Sequence, residues 1–270
     1  MFMNFRTEIS FKNIEQMNKK IQFCNNNKIF KINIPCKGDI KKDFLLEIVE
    51  YIGKNHSNLD VVYHYSFNHQ YSKNNKISYE YFLEFIEKCA AFRNKEILLV
   101  SGSKRRDGFD VIDVLNKLKG EINPKITFGI AYNPYYSDNN HIKEERERLL
   151  EKISTGIVNS IWLQLGSNLS FLKKGISFLK NNLNNINYSQ NYKIYGSLFV
   201  PSKQSLSRFK FRPWKGVFFS NSFLNSVDHA NQITQDILKI YSENNIDLLI
   251  ESECSTNKQL NNTLNILNPN

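Results

Sequence analysis

The sequence lacks an uninterrupted apolar stretch of the roughly 18–20 residues that a membrane-spanning helix requires. Its first residues, MFMNFRTEISFKN, have no apolar segment between a basic start and a small-residue cleavage site, so we expect no secretory signal. The four cysteines, Cys24, Cys36, Cys89 and Cys254, are scattered and form no C-x-x-C pair. We therefore expect a cytoplasmic protein with reduced thiols and no disulfide framework.

Several motifs of catalytic and binding sites are also absent. No β-like run is followed by the G-x-G-x-x-G of dinucleotide-binding folds, and the G-x-S-x-G of serine hydrolases does not occur. Among the five histidines, His64 and His69 lie near one predicted strand end, but their spacing does not recur in metal sites and no carboxylate lies beside them. We expect no resident metal ion.

Positive charge exceeds negative charge, with 36 Lys and Arg against 26 Asp and Glu and a formal net charge of +10. Such an excess suggests a polyanionic partner, and Lys104, Arg105 and Arg106 form one cationic run. The other cations are spread along the chain, and zinc-finger, basic-zipper and aromatic RNA-binding motifs are missing. A nucleic-acid-binding module stays an alternative, but we expect no nucleic-acid or membrane partner.

What the sequence does contain is a regular alternation of short β-like runs with amphipathic helix-like runs. Strands that alternate with helices indicate parallel β-α-β units, and eight such units in 270 residues match a closed (β/α)8 TIM barrel. We predict a single barrel domain over residues 1–270, with a doubly wound open sheet as the alternative. The predicted strands are 6–11, 28–35, 59–67, 96–102, 125–132, 160–167, 192–201 and 246–253.

In such a barrel, polar residues at the carboxyl ends of strands face the loops that carry binding and catalysis. The polar loops 68–76 and 133–140 each follow a predicted strand. Glu8 is a candidate general acid, because a carboxyl group withdrawn from water holds its proton more readily. Each candidate can instead pair with a neighbour inside the barrel. The candidates at or near predicted strand ends are Glu8, His64, Ser66, Ser103, Tyr132, Gln164, Glu251 and Glu253.

The order of these residues resembles that of the methylenetetrahydrofolate reductase family, whose members are flavin-dependent (β/α)8 barrels. The resemblance runs along nearly the whole chain and is clearest in residues 125–165. There KITFGIAYNP resembles a fifth strand that ends in Ala-Tyr-Pro. RERLLEKISTGIVNSIWLQL resembles a helix of the pattern Leu-Lys-x-Lys-x-x-x-Gly-Ala that runs into a strand ending in Thr-Gln. The matching positions in this chain are Glu145, Lys152, Gly156 and Gln164.

Elsewhere the resemblance is looser. TEIS around Glu8 is similar to Phe-Glu-Phe-x-Pro-Pro without the prolines, and HYSF is similar to His-x-Thr-Cys, with Ser66 in place of threonine. RPWKG, residues 212–216, is similar to a Pro-x-Trp segment after the seventh strand. After the fourth strand the family has Arg-Gly-Asp, where this chain has Ser101, Gly102 and Ser103.

The resemblance implies an FAD-dependent oxidoreductase that interconverts 5,10-methylene- and 5-methyltetrahydrofolate, with NADH or NADPH as reductant. It implies that Glu8 protonates the folate nitrogen and that Gln164 holds the pterin. Because Ser103 replaces the aspartate, the alternative is a divergent flavin- or pterin-binding barrel that lacks standard reductase activity or acts on another one-carbon substrate. A homo-oligomer is compatible with either. The implied FAD-binding residues are His64, Ser66, Gly102, Ser103, Ala131, Tyr132, Glu145 and Lys152.

Overall fold

The computed structural model describes residues 5–38, 40–92, 96–102, 106–120, 126–186 and 191–268, with the backbone alone for 184–186. Eight strands lie in this part of the chain: β1 (Phe5–Glu8), β2 (Lys31–Ile34), β3 (Asp60–Ser66), β4 (Glu96–Val100), β5 (Thr127–Tyr132), β6 (Val158–Leu163), β7 (Lys193–Leu198) and β8 (Asp247–Ile250). They close into a parallel barrel in chain order, which confirms the predicted (β/α)8 fold class.

Helices follow every strand, and three of them follow β7. Within the described residues they are α1 (Ile14–Asn26), α2 (Lys42–Asn55), α3 (Asn75–Ala91), α4 (Val111–Leu118), α5 (Asn139–Ser154), α6 (Leu169–Ile186), α7 (Lys203–Phe211), α8 (Asn221–Asn225), α9 (Val227–Glu243) and α10 (Asn257–Leu267). No described helix is both long and apolar enough to span a bilayer.

Side-chain caps decide where several helices begin. At α4, the Asp110 carboxylate accepts from the backbone N–H groups of Ile112 at 2.8 Å and Asp113 at 3.1 Å. The Asp113 carboxylate in turn accepts from the backbone N–H of Asp110 at 3.1 Å. This reciprocal box satisfies N–H groups that have no partner within the helix, so the helix begins directly after Asp110.

Two compact units are distinguished by their internal contacts. The first, here the β2–β5 unit, comprises Glu8–Ile130 and Glu151–Asn159. The second, here the β6–β1 unit, comprises the segment up to Thr7, Ala131–Leu150 and the chain from Ser160 onward.

In the β2–β5 unit, an aromatic layer joins β3 to α3. Tyr65 lies 4.6 Å from Phe82 and 5.2 Å from Phe85 between ring centroids. Side chains alternate along a strand, so His64 and Ser66 point to the opposite face from Tyr65, into the barrel. The packing of β3 on its helix therefore aims these two polar side chains inward.

In the β6–β1 unit, the indole of Trp162 stacks on the ring of Tyr195 at 4.0 Å between centroids, across the register pair of β6 and β7. The next residue of β7, Gly196, faces α9, where Tyr241 is fully buried. A glycine is needed there because the tyrosine ring occupies the space of a side chain.

The strands are shorter than the apolar runs predicted. β8 ends at Ile250, so Glu251 and Glu253 follow the strand, and the prediction that they lie on it is wrong. Gln164 likewise comes directly after β6. A strand ends where its neighbour stops pairing with it, which apolar composition does not encode.

All four cysteines are buried, and none of them forms a disulfide. Burial raises the pKa of the Cys254 thiol to about 11, because water is withdrawn from its charged form. The reactive thiolate is therefore scarce at neutral pH.

We expect Gly196→Ala to destabilise the fold by about 1–3 kcal/mol, because the added methyl group overpacks the core. A Cβ at this position would lie 2.4 Å from the Tyr241 ring. Gly120→Ala is the control, since a Cβ there meets nothing within 4 Å. The free energy of unfolding from urea titration measures both, and equal stability of the two variants would contradict the packing assigned to Gly196.

Candidate functional site

Glu8 is the last residue of β1, and its side chain is only 12% exposed. The Lys37 ammonium lies 3.5 Å from its Oε1 atom and also donates to the Ser10 hydroxyl at 2.5 Å. Because the Lys37 side chain is half exposed, this ion pair contributes only about 0–1 kcal/mol. The carboxylate is thus sheltered from water beside a cation that a bound molecule can displace. Lys37 was not among the predicted site residues.

Two polar side chains of the β2–β5 unit, those of Asn33 and His64, meet inside the barrel. The amide nitrogen of Asn33, which is fully buried on β2, lies 3.0 Å from Nε2 of His64 on β3. An amide nitrogen can only donate, so Nε2 accepts and a neutral ring carries its proton on Nδ1. Asn33 therefore sets the orientation and tautomer of His64. Its polar side chain within the apolar run KINI was the sequence feature that could have revealed it.

The ends of β3 and β4 meet at Gly102. This residue has φ +82°, and a Cβ there would lie 2.7 Å from Cβ of Asn68 and 3.1 Å from Oγ of Ser66. The predicted FAD-site residues Ser66 and Gly102 are therefore neighbours. The space beside Gly102 is filled by protein atoms, so close packing of the chain accounts for this glycine.

The rest of the segment after β4 is described only in part. Ser103, a predicted FAD-site residue, lies outside the described residues, as do Lys104 and Arg105. The guanidinium of Arg106 lies 3.9 Å from the ring centroid of Tyr71. A cation over an aromatic face is attracted by the ring, so Arg106 has a structural contact there.

Two loops at this end of the β2–β5 unit are joined by buried hydrogen bonds. The Gln70 amide donates to the Ile40 carbonyl at 2.6 Å and to Sγ of Cys36 at 3.2 Å. Nδ1 of His69 lies 3.1 Å from the Cys36 carbonyl. These bonds connect the segment after β3 to the segment after β2, which contains Lys37, the cation beside Glu8.

In the β6–β1 unit, predicted site residues meet at the ends of β5 and β6. The backbone N–H of Gln164 donates to the Tyr132 carbonyl at 2.8 Å. The Gln164 amide oxygen accepts from the backbone N–H of Leu165 at 2.8 Å, so its amino group is the part that can donate to a ligand. Ala131, the residue before Tyr132, is partly exposed.

Glu145 and Tyr132 are both engaged within the protein. Oε1 of Glu145 accepts from the backbone N–H of Asn133 at 2.9 Å, which ties α5 to the segment after β5. Burial raises the pKa of the Tyr132 phenol, while its hydrogen bond with Arg146 acts in the opposite direction. Tyr132 points to the helices, and its hydroxyl lies 3.4 Å from where a Cβ of Gly175 would be.

Lys152 is buried two residues before the end of α5. It lies seven residues beyond Glu145, or about 10 Å along the helix axis. Barrel helices run opposite to the strands, so the last turn of α5 lies toward the amino ends of the strands. The structure thus separates Lys152 from the other predicted FAD-site residues on α5 and β5.

The described residues contain no group of three His, Cys, Asp or Glu side chains that could hold a metal ion.

Closure of eight parallel strands places the protein in the class of TIM-barrel folds. Comparison with solved structures finds several such barrels. An intracellular xylanase from Thermoanaerobacterium saccharolyticum is 11% identical, with a TM-score of 0.54 over 93% of this chain and 85% of that chain. An aldo-keto reductase from Klebsiella pneumoniae, in complex with NADPH, is 12% identical, with a TM-score of 0.51 over 98% and 84%.

The catalytic domain of a chitinase from Pyrococcus furiosus is 10% identical, with a TM-score of 0.53 over 92% of this chain and 83% of that chain. At these identities, the similarity shows a shared fold alone. No protein-family model matches the sequence, and no curated protein matches it.

We expect Gly102→Ala to cost more stability than Gly156→Ala. Both glycines have a left-handed backbone, with φ +82° and +79°, so alanine costs about 1 kcal/mol at either position. A Cβ at Gly156 meets nothing within 4 Å, whereas one at Gly102 crowds Asn68 and Ser66 and costs about 1–3 kcal/mol more. Urea unfolding of both variants measures the difference in free energy of unfolding. Equal losses of stability would show that the chain is loosely packed around Gly102.

Proposed function

We propose that the protein is an FAD-dependent oxidoreductase of one-carbon metabolism that interconverts 5,10-methylene- and 5-methyltetrahydrofolate. The observation that carries the proposal is Glu8, a carboxyl group at the carboxyl end of β1 that is largely withdrawn from water. A carboxyl group in such surroundings, at the loop-bearing end of a barrel, can serve as a general acid.

The sequence resemblance to the methylenetetrahydrofolate reductase family supports the same assignment. Its clearest part, residues 125–165, contains the end of β5 and the end of β6. Tyr132 and Gln164, which match the family pattern there, are joined by a backbone hydrogen bond of 2.8 Å. Two positions that match the family pattern in sequence are therefore also neighbours in this structure, at the ends of β5 and β6.

Each residue has a role that its surroundings allow. Lys37 would leave the Glu8 carboxylate as substrate binds, the carboxylate would take up a proton from solvent, and Glu8 would then give that proton to the folate nitrogen. Gln164 would hold the pterin through its amide. His64, oriented by Asn33, would lie against the flavin, together with Ser66 and the backbone at Gly102. Bound FAD would supply the hydride transfer, and the protein would bind and orient it.

A nicotinamide cofactor, NADH or NADPH, would serve as the reductant. The structurally similar aldo-keto reductase from Klebsiella pneumoniae binds NADPH on a barrel of this class. The two proteins share a fold alone. The similarity supports the idea that a barrel of this class can bind a nicotinamide cofactor, and it does not distinguish NADH from NADPH.

A second candidate function is a barrel that binds flavin or pterin without standard reductase activity, or that acts on another one-carbon substrate. It is favoured by the sequence after β4, which differs from the Arg-Gly-Asp of the family. Here Ser101 and Gly102 come first, and the described arginine that follows, Arg106, lies over Tyr71.

The two candidates differ in what happens when reduced, FAD-loaded protein is mixed with methylenetetrahydrofolate in a stopped-flow instrument. The proposed reductase reoxidises its flavin, seen as recovery of the visible absorbance. We expect Glu8→Gln to slow this step by about 100-fold or more, because the amide has no proton to give, while FAD still binds.

Glu87→Gln is the matched control, since Glu87 is exposed on α3 and the substitution removes the same charge. It is expected to behave as wild type. FAD-loaded wild-type protein that stays reduced in the presence of the folate would reject the reductase and favour the second candidate. Full activity of Glu8→Gln would reject Glu8 as the acid.

A further inference from the structure

A pocket of about 130 Å³ lies in the β6–β1 unit, between the segment after β5, helix α5 and helix α6. Its walls combine aromatic rings with polar and basic groups. Among the lining residues are Tyr132, Asn133, Tyr136, Arg146, Phe171 and Lys174.

The charge of this pocket is positive. Arg146 and Lys174 line it, and no acidic residue does. Two carboxylates on the segments that form the pocket are engaged by backbone groups: Oδ1 of Asp138 accepts from the backbone N–H groups of Asn140 and His141, and Oε1 of Glu145 accepts from the backbone N–H of Asn133. In the described part of the chain, neither pocket cation forms an ion pair.

The guanidinium of Arg146 is held in place. It lies 4.4 Å from the ring centroid of Phe178, on α6, and its charge opposes the rise that burial causes in the pKa of the Tyr132 phenol. Its Nε atom is buried and has no hydrogen-bond acceptor in the described residues. Nε is enclosed by protein atoms, so an anion in the pocket would meet the other N–H groups of this fixed guanidinium.

Helix α6 approaches this site closely because of Gly175. A Cβ at Gly175 would lie 2.4 Å from Cβ of Pro134, so only glycine permits the approach. Lys174, the preceding residue, is thereby positioned at the mouth of the pocket, where its side chain is exposed.

The side chain of Arg146 leaves α5 in a different direction from that of Glu145, one of the implied flavin residues. Glu145 and Lys152, seven residues apart, share one face of α5, whereas Arg146 is turned by about 100° from Glu145. Tyr132 is the residue that the pocket lining and the implied flavin residues have in common, and it contributes its hydroxyl to the Arg146 side.

We propose that this pocket binds a small oxyanion, either inorganic phosphate or the phosphoryl group of a small phosphomonoester. The fork of the guanidinium matches two oxygens of such a group, and Lys174 adds a point charge. A pocket of about 130 Å³ bounded by Phe171 and Tyr136 leaves room for one such group and little else. This site is additional to the proposed redox reaction.

The test is calorimetric titration of the whole protein with inorganic phosphate at constant ionic strength. We expect saturable binding that Lys174→Gln weakens about tenfold, because one charge-assisted hydrogen bond is lost. Arg146→Lys should also weaken it, since a point charge replaces the fork. Lys173→Gln is the control: Lys173 is exposed on the same helix, does not line the pocket and carries the same charge.

Two results would overturn the proposal. One is the absence of saturable binding by the wild-type protein up to millimolar phosphate. The other is an equal loss in Lys173→Gln and Lys174→Gln, which would indicate attraction to general surface charge. Glycerol phosphate, titrated in parallel, distinguishes the sources: tighter binding than phosphate identifies an organic phosphate, and weaker binding identifies the free anion. The titration needs no flavin, so its outcome is independent of the reductase assay.

Discussion

Closure of the parallel sheet is the constraint on which the rest of the structure depends. A parallel strand has unpaired backbone groups along each edge until another strand covers it, and a closed barrel removes both edges. With all strands running the same way, the residues that end them are also the residues that begin the site-bearing loops. Glu8, Ser66 and Gln164, far apart in the sequence, are each the last residue of a strand or the first after it.

At these strand ends, hydrogen bonds to neighbouring segments hold the polar side chains. Asn33 orients His64, Gln70 joins the segments after β2 and β3, and Glu145 ties α5 to the end of β5. A site needs such support to keep its groups at working distances. Glu8 differs, because its cation Lys37 is half exposed and exchangeable.

The sequence predicted the number and order of the strands because apolar patterns are local, whereas the three helices after β7 exceed the one helix per strand of a regular barrel. The predicted strands extended too far, as at β8, because a strand ends where its pairing with the neighbouring strand ends. The contacts of the candidate site were out of reach, since Lys37 meets Glu8 and Asn33 meets His64 only after folding. The cationic pocket was equally hidden, because Arg146 and Lys174 lie on different helices.

The visible absorption spectrum of the purified protein tests most directly the proposal that this barrel holds a flavin. The protein would be incubated with FAD and freed of unbound cofactor by gel filtration before the spectrum is taken. We expect a yellow protein with flavin absorption bands that co-elute with the polypeptide. A colourless protein that retains no FAD after this treatment would contradict it.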